Sequence, residues 1–294
     1  LIGTAGCILL IVGSFGMKDT MNSFLDLYYD GATNYTTRIY LSEDAAKEDR
    51  DAIIEKYDGD YSSAVSVQIG DKAVALDIYG ITHDMVRVPD ENNDFVTLPD
   101  DGAFVCVRIS EEFDLKAGDT VTVSPYGTDD KYTLKVAGVC RGVTESIVMS
   151  EKYAEKIGIS YTVDSVYTNT EKDGIESSSA IKSLQSKQQI VDSFDSFLWM
   201  MDLMIYVLVF GAMLLGVVVL YNLGVMSYSE RYREMATLKV VGFKDGKIGR
   251  LLIGQNLWVS FIGVIIGIPA GIGVLDYLLH ELAGEYEMKM SITP

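Results

Sequence analysis

Few residues in this chain have the types and spacing that chemistry needs. His83 is the only histidine between residues 18 and 202. No Ser–His–Asp arrangement and no histidine-rich metal set is available there. A single histidine of this kind reads as a surface side chain. Asp90-Glu-Asn-Asn-Asp94 has the look of a calcium loop. Phe95 stands where that loop needs glycine, however, and Asp101 where a bidentate glutamate is preferred, which argues against calcium; Asp100-Asp101-Gly102 reads as a turn. Gly13-Ser-Phe-Gly16-Met-Lys18 has the wrong spacing for a phosphate loop and ends an apolar run. Cys106 and Cys140 can pair, or can serve as small apolar residues on strands; both readings stay open. The sequence therefore assigns no catalytic residue and no metal ligand, which argues against an enzyme with a hydrolase domain.

Two other patterns carry mechanical rather than chemical meaning. The first is residues 230–250, ERYREMATLKVVGFKDGKIGR. Ser227 and Glu230 have capping-box spacing. Tyr232, Met235 and Ala236 then share one helical face, while Arg231, Glu234 and Lys239 remain available to solvent. Gly242 with Phe243 behind it suits a glycine stop with its apolar contact. These features predict a short amphipathic helix that docks on something, rather than a plain connector. The second is Gly263, Gly267 and Gly271, spaced four apart. That spacing lines one helix face with small residues and lets another helix approach closely. Pro269 in the same stretch is expected to kink it.

The elements that position these patterns follow from a conflict in the composition. The 294 residues carry a net charge of −18, yet mean hydropathy is +0.18. Apolar and acidic residues must therefore be segregated. Residues 1–17, 203–229 and 251–275 are uncharged. A helix needs about 20 apolar residues to cross a bilayer. Leu203–Leu220 alone holds 12 Leu, Ile, Val or Phe, which favours insertion by about 4–7 kcal/mol. The predicted order is a truncated span at 1–17, an outside domain at 18–198 ending in a stalk helix, and a span at 199–229. A cytoplasmic loop at 230–250, a span at 251–275 and an outside tail at 276–294 complete it. The loop holds six Lys or Arg and the tail one, so the loop is assigned to the cytoplasm. Because the chain opens inside an apolar run, it is read as a segment of a longer polypeptide.

Residues 18–202 carry 17 basic and 35 acidic side chains. Their excess equals the whole net charge and argues against nucleic-acid binding. Thr37–Leu41, Ala64–Ile69, Lys72–Tyr79, Phe104–Arg108, Thr120–Ser124, Tyr132–Val139 and Asp164–Thr168 alternate like strands. Gly70–Asp71 reads as a hairpin turn. Ala45–Tyr57 has helical spacing, Ser150 caps a helix at Glu151–Ile157, and Ser178–Phe197 reads as a polar helix. The expectation is an extracytoplasmic α+β domain of six to eight strands joined to membrane α-helical spans.

Ser227 through Phe243, followed by Lys247-Ile-Gly-Arg-Leu-Leu252 and Gln255-Asn256, resembles the FtsX-like permease domain of ABC transporters. The family pattern is an R-x-x-E-x-A-T-L-K-x-x-G-F loop between two spans. Arg231, Glu234, Ala236, Thr237, Leu238, Lys239, Gly242 and Phe243 occupy it here. Ala5-Gly6-Cys7, Gly16-Met-Lys-Asp19, Leu98-Pro-Asp-Asp-Gly102 and Leu115-Lys-Ala-Gly-Asp-Thr120 also resemble the large two-repeat permeases of Gram-positive bacteria. The resemblance implies a MacB/FtsX-like architecture with a fourth span after the tail. It also implies a separate ABC-type subunit that binds ATP, so no cofactor is expected in this chain. Arg231, Glu234, Leu238, Lys239, Gly242 and Phe243 would meet that subunit. The other implied partners are the lipid bilayer and the remaining spans or a second copy, with no nucleic acid. The rival expectation is an ATP-coupled sensor or regulator of envelope partners, such as wall hydrolases, without transport.

Overall fold

The computed structural model describes residues 2–128, 130–230, 232–233, 236, 240 and 245–282. They divide into two compact units. One takes the N-terminal residues up to Asn22 together with Phe197–Leu282; the other is Ser23–Ser196.

The first unit is helical. It contains most of α1 (Ile2–Leu25), the apolar length of α5 (Lys187–Glu230) and α6 (Asp245–Leu282). α6 continues through Pro269. Two stretches are long and apolar enough to cross a membrane, Lys187–Glu230 and Ser260–His280. Only 11% of the most apolar window of the former is buried, and 28% of the latter. Trp199, Met204, Phe210, Leu214, Val217 and Tyr221 are all exposed. Water does not tolerate so large a contiguous apolar surface, whereas lipid does. Both are candidate membrane spans.

The second unit is a mixed α and β domain. It holds β1 (Thr37–Leu41), α2 (Lys47–Tyr57), β2 (Asp60–Ile69), β3 (Lys72–Gly80), β4 (Val88–Pro89) and β5 (Phe95–Val96). There follow β6 (Ala103–Cys106), α3 (Val107–Glu112), β7 (Thr120–Pro125), β8 (Tyr132–Cys140), β9 (Ser146–Ser150), α4 (Glu151–Ile157), β10 (Ser165–Thr168) and β11 (Ile181–Ser186). Nine strands form one sheet in the order β11-β1-β10-β2-β3-β9-β6-β8-β7. The sheet also closes on itself, because Val67 and Gln68 of β2 pair with Pro125 and Ser124 of β7. Six strands thus enclose a core of Val67, Leu76, Val105, Val123, Leu134, Ile147 and Met149, all essentially inaccessible to solvent. Each buried side chain of this size contributes about 1.5–3 kcal/mol. Ile109 of α3 and Ala154 of α4 complete this core, while Ile53 of α2 packs with Ile39 and Val166 in a second one.

Several local expectations match the chain's geometry. Ser150 Oγ accepts from the Tyr153 backbone N–H at 3.3 Å, and Gly158 ends α4 with φ +74°. Gly70, at φ +60°, turns the β2–β3 hairpin. Others are corrected. There are eleven strands among the described residues, not six to eight. Phe104–Arg108 does not stay extended, because α3 starts at Val107 and carries Ile109 into the core. Ser178–Phe197 is not one helix: Ile181–Ser186 pairs with β1 as an edge strand, and α5 starts only at Lys187. Cys106 and Cys140 are register partners on β6 and β8, both fully buried as thiols. Cys106 packs into the closed core and Cys140 into the cluster of Val88, Leu98 and Val148.

Candidate functional site

In the helical unit the three glycines of α6 lie against α1. A Cβ at Gly263 would overlap the Thr4 side chain. One at Gly267 would sit 2.8 Å from Ile8 Cβ and 2.9 Å from the Ala5 carbonyl oxygen. One at Gly271 would lie 3.1 Å from Val12 Cβ. Thr4, Ile8 and Val12 form a ridge of the same four-residue spacing, so ridge enters groove directly. α1 also touches α5: a Cβ at Gly3 would be 3.1 Å from Val219 Cγ2. Beyond the apolar part of α1, Lys18 Nζ meets Asp202 Oδ1 at 2.6 Å. Of the other site residues expected from sequence, Arg231, Glu234, Leu238, Lys239, Gly242 and Phe243 all lie outside the described residues.

The sheet unit contains a feature that the sequence did not announce. Alternation along each strand sends one set of side chains to the cores and the other to the opposite face. On β1, Ile39 and Leu41 are core residues while Arg38 and Tyr40 face away. On β3, Val74, Leu76 and Ile78 are core residues while Ala75, Asp77 and Tyr79 face away. Ser62 and Ala64 of β2, Ser146 and Val148 of β9, and Tyr167 of β10 line the same side. Together with Tyr28, Tyr35 and the 141–144 turn they enclose a cavity of about 510 Å3. Small residues on the central strands leave the space, and tyrosines wall it. A second cavity, of about 520 Å3, shares Tyr79, Val86 and Arg87 with it.

Arg38 is the focus of the first cavity. Its guanidinium carbon lies 4.5 Å from the Tyr40 ring centroid and 5.3 Å from that of Tyr167, its register partner on β10. Arg38 Nη2 donates to Ser165 Oγ at 2.9 Å, but the buried Nε has no hydrogen-bond partner. The tyrosines are held in turn. Tyr40 Oη donates to Gln185 Oε1 at 2.8 Å, Tyr167 Oη lies 2.9 Å from Ser62 Oγ, and Tyr28 Oη donates to the Gly142 carbonyl at 2.9 Å. Burial pushes the Tyr167 and Tyr79 hydroxyls above their ordinary range, so both stay neutral donors. Asp77 is raised to about 6 by burial, against the opposing pull of the Ser146 hydrogen bond and the Arg38 charge.

One wall depends on Asp60, which is fully buried. Its carboxylate accepts from the backbone N–H groups of Thr82, His83 and Met85 at 2.6, 2.8 and 2.8 Å, and from Thr82 Oγ1 at 3.1 Å. It thereby shapes the segment leading to Val86 and Arg87. His83 is partly exposed beside Asp58 and Asp60. Asp90 Oδ1 accepts from the N–H groups of Asn92 and Asp94 at 2.8 and 2.9 Å, as a turn does. Among the described residues no group of three or more His, Cys, Asp or Glu is placed to hold a metal.

Residues 206–294 match the family model for the FtsX-like permease C-terminal domain. No curated protein sequence matches the chain. Two solved structures are similar. The periplasmic region of MacB from Actinobacillus actinomycetemcomitans covers 60% of this chain and 97% of that one, at 13% identity and a TM-score of 0.33. The extracellular domain of the noncanonic ABC-type transporter YknZ from Gram-positive bacteria covers 47% of this chain and 84% of that one, at 14% identity and a TM-score of 0.30.

Proposed function

We propose that this chain, whose residues 206–294 match the FtsX-like permease C-terminal family model, is the membrane subunit of an ATP-driven transporter and does no chemistry itself. ATP is bound by a separate subunit. The 230–250 loop lies in the cytoplasm, the sheet domain lies outside, and the helices span the bilayer as a multi-pass bundle. The family match at 206–294 carries this reading, and the exposed apolar helices support it.

The mechanism is transmission of displacement. Leu238 and Phe243 dock in an apolar groove of the ATP-binding subunit, while Arg231, Glu234 and Lys239 fix register by charge. Gly242 ends the docking helix. α5 spans Lys187–Glu230 and so carries the chain from the end of β11 towards the loop. A continuous helix transmits axial movement with little loss. The glycine contacts of α6 on α1 make the bundle stiff, because closely packed backbones resist shear. ATP-driven motion at the loop thereby reaches the sheet domain, which handles cargo.

The test uses the chain with its ATP-binding subunit in lipid nanodiscs. Replacing Glu234, Lys239 and Phe243 by alanine together is expected to abolish co-purification and permease-stimulated ATP hydrolysis. Unchanged stimulation would sink the coupling assignment. ATP-dependent activation of a bound envelope hydrolase without flux of any cargo would instead select a regulatory role.

A further inference from the structure

The cavity on the outer face of the sheet has no part in the transmission mechanism, yet it is built at a cost. An arginine stacked between two tyrosines is well held, but its buried Nε lacks a partner. An unmet buried donor is costly, and more so when charged. Among the described residues no carboxylate forms an ion pair with Arg38. Arg141, itself buried, also lines the space and gives Nη1 to Asn93 Oδ1 at 2.5 Å. Arg87 lines it too, paired with Asp84 at 2.6 Å. The lining thus holds three guanidiniums, that of Arg87 already paired with Asp84, and a single carboxylate, Asp77. This occurs in a segment whose other charges are overwhelmingly acidic, with 35 acidic side chains to 17 basic between residues 18 and 202. Segments far apart in sequence, β1, the stretch before β4 and the turn after β8, deliver these cations to one place.

From this geometry we infer that the cavity is a binding site for a small amphiphilic anion. A carboxylate or phosphate group would face the Arg38 guanidinium, which lines the cavity, and an aromatic or aliphatic body would lie along the tyrosine walls and over Ala64 and Ala75. The volume suits it: pockets for small organic ligands run to about 300–1,000 Å3. Cationic ligands are disfavoured by the Arg38 and Arg141 guanidiniums. The inference does not depend on the permease reading, since binding is measured on this chain without any ATP-binding subunit.

The experiment is isothermal titration of the full chain in nanodiscs, with empty nanodiscs subtracted. The probes are 2-naphthoate, 2-naphthyl phosphate, neutral 2-naphthol and cationic 2-naphthylmethylamine. At least one anion is expected to bind with a Kd below about 1 mM, at least tenfold tighter than the neutral and cationic probes. The tighter of the two anions identifies the head group. Arg38→Met is expected to weaken anion binding at least tenfold. Ala75→Leu, which fills the space without touching charge, is expected to remove it. Hydrogen exchange of β2 and β3 in each variant shows whether the sheet is intact, and Ala75→Leu decides the matter should Arg38→Met fail to fold. Equal affinity for naphthol and the anions, preference for the cation, no binding of any probe, or indifference to Ala75→Leu in an intact sheet would each overturn the inference.

Discussion

Asp77→Asn tests the electrostatics of the cavity directly. The carboxyl group faces it from β3 and accepts a hydrogen bond from Ser146. Arg38 favours its ionised form, while burial and the Asp164 charge oppose it, and burial wins. The group's ordinary value of 3.8 rises to about 6 in the folded chain. Below pH 3.8 the carboxyl is protonated whether the chain is folded or not, so it contributes nothing. As pH rises through 6 the folded protein must hold a buried anion that the unfolded chain holds in water. At about 1.4 kcal/mol per pH unit, the penalty reaches about 3 kcal/mol above pH 7. Asparagine keeps the shape and can accept from Ser146, but never ionises. The variant is therefore expected to be more stable than the parent by about 2–3 kcal/mol at pH 7.5, and no more stable near pH 4. Urea unfolding of the sheet unit, followed by pulse proteolysis of the full chain in detergent at both pH values, measures this. Taking the difference between variant and parent removes the effect of every other carboxylate. Equal stability at pH 7.5, or a gain that persists unchanged at pH 4, would refute the reasoning.

Gly267→Val is expected to loosen the α1–α6 contact, because its Cβ would meet Ile8 Cβ and the Ala5 carbonyl. A loss of about 1–3 kcal/mol should appear as a lower melting temperature in detergent, while Gly273→Val on the same helix, with nothing within 4 Å of its Cβ, changes little. Asp60→Ala removes the acceptor for three backbone N–H groups. It is expected to destabilise the sheet unit by about 3 kcal/mol or more and to speed hydrogen exchange at Thr82, His83 and Met85 first. Uniform protection at those amides would show that they find other acceptors.

The sequence exposed what depends on near neighbours. Alternation in Lys72–Tyr79, a turn at Gly70 and the Ser150 cap are all decided within ten residues. The four-residue spacing of Gly263, Gly267 and Gly271 likewise marked one helix face. What stayed hidden depends on partners distant in the chain. Ile181–Ser186 has weak strand character of its own and becomes a strand because β1 offers it an edge. Val107 and Arg108 look extended, yet become helical once Ile109 has a core to enter. The cavity was invisible for the same reason. Residues Arg38, Asp77 and Arg141 form no motif, and only the strand order brings them to one face.

That difference bears on what the acidic surface means. A net charge describes an average, and the average here is strongly negative. Spread over a solvated surface, it is explained by solubility alone and selects no ligand. Recognition depends instead on charges held out of water, where screening is weak and each unmet donor is costly. By that measure the cavity is locally cationic: Arg38 lies against Tyr40 and Tyr167, and Arg141 is buried beside Asn93. The single carboxylate there is the one whose burial favours its neutral form. An acidic exterior around a cationic interior repels anions at a distance and rewards them on contact. Such a site favours a ligand with an apolar body sufficient to bring it in despite its charge, which is why the amphiphilic anion, and not inorganic phosphate, is the occupant that the structure favours.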